Sequence, residues 1–106
     1  MANNQTPQGT SAAPAVEALG PTFSARSDYG LLHGRVRKQF FSNVISPQTR
    51  VFISVSEGSG DNKFVGDAPF SVENVAPSNG VVEFRLFIDW PTDLGTVVDF
   101  LFVNPS

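Results

Sequence analysis

Val82, Phe84, Leu86, Ile88 and Trp90 fall on every second position of one run, and Val98, Phe100 and Phe102 repeat that spacing further along the chain. Successive side chains of a strand point to opposite faces, so this period predicts two strands that each turn one apolar face to a core. Val51, Ile53 and Val55 alternate with Phe52, Ser54 and Ser56 and predict another strand over residues 50–56. Residues 31–41, with Gly34 as a candidate bulge, residues 63–65 and residues 70–75 predict three more.

Turn chemistry separates these runs. Gly58, Gly60, Asp61 and Asn62 mark a loop, Asn79 and Gly80 a tight hairpin, and Pro91, Asp93 and Gly95 a further turn. No segment from residue 29 onward repeats apolar side chains at three- and four-residue spacing over a helical length. The expected fold is all-β: a small antiparallel β-sandwich or barrel of five to seven strands, jelly-roll or immunoglobulin-like. The last strand, residues 96–103, is apolar on both faces apart from Asp99. With Val98, Phe100 and Phe102 facing the core, Val97, Leu101 and Val103 require cover from elsewhere and are the expected oligomer interface.

Residues 1–22 break the pattern. Glu17 is their one charge, and Val16 and Leu19 are their sizeable apolar side chains after Met1. Such a segment buries too little apolar area to offset its own ordering entropy, so the expected division is an extended arm over 1–22 and a β-sandwich domain over 23–106. Pro14, with Gly20 and Pro21 beyond Leu19, predicts one or two helical turns inside the arm.

Composition narrows the function classes. Ten phenylalanines, against one Trp and one Tyr, predict an interior built largely from Phe. The absence of cysteine excludes disulfides and thiolate metal sites. A net charge of −3 opposes nucleic-acid binding, which draws on a cationic surface. No signal peptide and no apolar membrane-spanning run is read in the sequence. Charged residues make up only 16% of the chain, below the usual quarter, which suggests an exterior partly covered by another chain.

Candidate chemistry is sparse. His33 is the single histidine and has no nucleophile motif beside it, so a structural role is expected in place of catalysis. Glu57, Asp61 and Asp67 surround a glycine-rich loop in the manner of a calcium site but without the spacing of the common calcium loop. Glu83, Arg85 and Asp89 share the polar face of the long strand, an arrangement expected to form cross-strand charge pairs. Trp90 and Tyr29 are the aromatic candidates for a sugar platform, although the parity of Trp90 places it with the core residues.

These features lead to an expected non-enzymatic structural role without cofactor or metal: a virion capsid decoration or cement protein at the virion surface, or in the cytoplasm if cellular. Its partners would be a larger protein shell and copies of itself, in a homo-oligomer such as a trimer, and neither nucleic acid nor membrane. Pro7, Pro14, Val16, Leu19 and Pro21 are the expected arm contacts, and Arg35, Arg37 and Lys38 the expected contacts to an acidic partner surface. The alternative is a small carbohydrate-binding, lectin-like sandwich module.

Overall fold

The computed structural model describes residues 16–106. Seven strands follow one another: β1 (Leu19–Leu32), β2 (Gly34–Phe41), β3 (Arg50–Ser59), β4 (Asn62–Phe64), β5 (Phe70–Ser78), β6 (Val81–Ile88) and β7 (Leu94–Pro105). Two antiparallel sheets result, one ordered β1-β7-β3-β4 and the other β2-β6-β5. The all-β class read from the alternation is the fold observed, and of the sandwich and barrel expected the two antiparallel sheets fit a small sandwich.

Each predicted core stripe lies between the sheets. Val82, Phe84, Leu86 and Ile88 of β6 and Val98, Phe100 and Phe102 of β7 are buried. Phe40 lies tilted against the Phe100 ring with centroids 4.5 Å apart, and Phe84 meets Phe100 edge-on at 5.5 Å. Each such side chain contributes about 2–3 kcal/mol on leaving water, so β6 and β7, central in their sheets, carry most of the driving force. Ile45, in the segment between β2 and β3, joins the same cluster. Its carbonyl accepts the Gly80 N–H at 2.9 Å, which pins this segment to the β5–β6 hairpin.

Several strand ends shift by a few residues, and two differences change which element a segment belongs to. The run 31–41 is two strands: β1 ends at Leu32, and Gly34, at φ 70°, opens β2 in the other sheet. The glycine therefore serves a change of sheet instead of a bulge, a left-handed conformation that costs a side-chain-bearing residue about 1 kcal/mol or more. The second difference is that Leu19, Gly20, Pro21 and Thr22 of the expected arm belong to β1. Leu19 pairs with Pro105 and Thr22 with Val103, with a register shift at Pro21, which an edge strand tolerates because its missing N–H lies outside the ladder. No helical turn forms over residues 16–18, and Leu19 is extended.

β1 lacks a clear apolar period because an edge strand needs little core contact of its own. Its backbone is held by β7 over most of its 14 residues, from Leu19↔Pro105 to Leu32↔Leu94. Ala25 and Tyr29 turn inward, and Tyr29 donates its hydroxyl to the Gln39 carbonyl at 3.1 Å, joining the β1 and β2 margins of the two sheets.

Candidate functional site

Three surfaces hold most of the described side chains singled out in the sequence. The first is the approach to β1. Val16 is 96% exposed and Leu19 is exposed too, so both apolar groups stand clear of the sheet body. Pro21, within β1, is likewise exposed, whereas Pro7 and Pro14 lie outside the described residues. Arg50 Nη2 meets Glu17 Oε1 at 3.3 Å. Because Thr22 and Arg50 flank Val103 in register, this contact carries the chain leading into β1 across the outer side of β7.

The second surface is the outer face of the β1-β7-β3-β4 sheet. Of the three side chains expected there as a subunit interface, Val97 and Val103 are only 1% and 7% exposed, enclosed by their own chain. Leu101, at 41%, remains open, and beside it in register stands Phe52 at 58%. The reason is local. Asp28 accepts the N–H groups of Gly30 and Gly60, each at 2.8 Å, and ties the β3–β4 turn to β1 across the row that holds Val97. Those two donors, Gly60 first, hold the Asp28 carboxyl below the usual carboxylate range.

A charge network occupies the next row. Arg26 grips Asp99 with Nε at 2.6 Å and Nη2 at 3.2 Å, and reaches Asp61 with Nη1 at 2.7 Å. Lys63 completes it from β4 by donating to Asp99. The hydrogen bonds from Arg26 and then Lys63 lower the Asp99 carboxyl to about 2. Between this network and Val103, Phe52 and Leu101 border a shallow apolar groove of about 240 Å³. Asp61, taken up by Arg26, does not converge with Glu57, which lies against Gly66, and among the described residues no three His, Cys, Asp or Glu side chains gather as metal ligands.

The third surface is the outer face of the β2-β6-β5 sheet. Arg35 and Arg37 share it, as their spacing requires, but Lys38 has the opposite parity: it stands on the inward side, with Nζ 5.7 Å from the Tyr29 ring centroid. The expected basic trio is therefore split, since adjacent residues of a strand cannot present to one face. Arg35 lies over the Phe87 ring at 4.1 Å and donates to Glu73 at 3.1 Å, while Arg37 Nε stands 3.5 Å from Glu83. Arg85 of β6 completes the face, directly opposite Arg37 on one side and Glu73 on the other. Of the polar trio read along β6, Asp89 lies past the strand end, with its N–H bonded to the Pro69 carbonyl.

His33 Nδ1 contacts Asp93 Oδ1 at 2.5 Å, joining the β1–β2 turn to the segment before β7. Both side chains are about half exposed. Trp90, given core parity by its spacing, follows the end of β6 and is partly exposed. Tyr29 is committed to the interior, edge-on to Phe84 at 6.0 Å. Compared with family models, curated proteins and solved structures, the chain matches none.

Proposed function

We propose that this chain is a structural assembly protein that decorates or cements a virion shell as a homo-oligomer such as a trimer, with its N-terminal arm laid on neighbouring shell subunits. The observation that carries the reading is the exposure of Val16 and Leu19 where the arm meets β1, because apolar groups left outside a folded body are offered to another surface. The Phe52–Leu101 groove supports self-association by the same reasoning. The strand order suits a jelly-roll winding, with β1, β2 and β3 set against β7 and β6, an architecture used by viral coat domains and by lectins. Several arms in one oligomer would bind together through high effective concentration. The site of action would be the virion surface, or the cytoplasm for a cellular assembly.

The deciding experiment removes the arm at two places. Deletion of residues 2–18 spares β1, so the protein is expected to keep its sheet signature by circular dichroism and its oligomeric mass, and to lose co-sedimentation with its particle. Deletion of residues 2–22 also takes the Leu19 and Thr22 pairing that flanks Val103 and is expected to lower the melting temperature. A full-length chain that is monomeric at high micromolar concentration by light scattering overturns the oligomer, and unaltered particle binding after deletion of 2–18 overturns the arm. Trp90, partly exposed at the end of β6, favours the second reading, a carbohydrate-binding module; glycan-array binding by the arm-deleted chain would select it.

A further inference from the structure

Arg37 and Arg85 face each other directly across β2 and β6. Residues so placed have Cβ atoms about 5 Å apart, and like charges in that relation repel. The carboxylates around them pair with Arg35 and Arg37, not with Arg85. Glu73, opposite Arg85 on β5, is engaged by Arg35 at 3.1 Å, and Glu83 stands 3.5 Å from Arg37. Among the described residues Arg85 forms no ion pair. The face thus carries three guanidinium groups against two carboxylates, in a chain whose net charge is −3.

Beside the two arginines the surface dips. A hollow of about 140 Å³ is lined by Arg37, Arg85, Glu83, Asn74, Ala76 and Phe84. Asn74 is the one described residue other than glycine with positive φ, at 61°, and it sits at the register shift between Glu73 and Val75 that bends β5 away. Ala76, opposite Glu83, has only a methyl group to fill the space.

We propose that Arg37 and Arg85 form an oxyanion site whose occupant is an Asp or Glu side chain of the protein partner. A guanidinium fork matches the two oxygens of a carboxylate, and one anion between the two arginines replaces repulsion with two charge-assisted contacts. Asn74 also lines the hollow, and an Asn side chain carries an amide donor. Glu83, which lines the hollow and pairs with Arg37, limits the site to one further anionic group. This deepens the assembly reading by naming the chemistry of the partner surface, and the partner rests on that reading, whereas anion binding does not.

The test uses the full chain and inorganic sulfate as probe, titrated against sodium chloride at matched ionic strength and followed by the arginine Nε–Hε resonances and the melting temperature. The expected result is millimolar binding that shifts the Arg37 and Arg85 signals and raises the melting temperature. Arg85→Gln should abolish both effects and, without sulfate, melt no lower than the parent, because it removes a repelled charge. Arg85→Lys should bind several-fold more weakly, and Arg37→Gln gives a second variant that removes the fork from the other side. Equal sulfate binding by the parent and Arg85→Gln, an adventitious ion only, overturns the site, as does the absence of any shift in the parent. Sulfate binding lost in Arg85→Gln, with particle binding unchanged in that variant, keeps the anion site and overturns the acidic partner. Sulfate binding lost in the variant, from a parent chain that neither self-associates nor binds a particle, retains the site while the assembly reading fails.

Discussion

Asp99→Asn isolates the charge network on the outer face of the β1-β7-β3-β4 sheet. The Asp99 carboxyl, ordinarily near 3.8, is held at about 2 by hydrogen bonds from Arg26 and Lys63. A depression of that size corresponds at most to about 2 kcal/mol of folding stability. The Asp99 side chain is 28% exposed and its partners are at least as open, so solvent screening reduces the expected contribution to about 1 kcal/mol. The sign follows from the lowered carboxyl: the stabilisation is complete above about pH 5, where the unfolded carboxyl is ionised, and is lost as pH falls through about 2. Roughly half should remain near pH 3. Urea denaturation at pH 6 should place Asp99→Asn about 1 kcal/mol below the parent, or some 4–8 °C lower in melting temperature, and the gap should narrow steadily on acidification. A gap that stays constant from pH 6 to pH 2.5 would refute the electrostatic origin and assign the loss to packing. Asp28, also held below its usual range, titrates in both proteins and cancels in the comparison.

Core and backbone changes should separate by mechanism. Phe100→Ala empties the contact of Phe40, Phe84 and Phe102 in mid-core and is expected to cost about 3–5 kcal/mol, enough to unfold much of the population by circular dichroism at 37 °C. In Gly95→Ala the new methyl would strike the Gly58 carbonyl oxygen, a backbone atom that cannot turn aside, so a loss of about 2 kcal/mol or more is expected by urea titration. Gly60→Ala, in open space at φ 57°, should lose only about 1 kcal/mol by the same measurement; equal losses at the two glycines would show that steric closeness between β7 and β3 is not what Gly95 provides.

The stripes of β6 and β7, the alternation of β3 and the Asn79–Gly80 hairpin were legible in the amino-acid order, because each is a local relation between a residue and its near neighbours along the chain. Arg35 and Arg37 on one face followed from the same parity. The site itself was half visible: nothing in the spacing of Arg37 and Arg85 indicates that they would stand opposite each other, since that depends on the register between β2 and β6.

Local alternation thus accounts for the all-β class, the core-facing phenylalanines and the main turns. Assembly in three dimensions assigned Leu19 to Thr22 to a strand, closed Val97 and Val103 within their own chain, drew Ile45 into the core and left Phe52 and Leu101 outside. The division has one physical cause. Which way a side chain points is set by its own backbone, whereas what covers it is set by strand pairing through peptide groups that are nearly the same in every residue and leave little trace in the side-chain pattern.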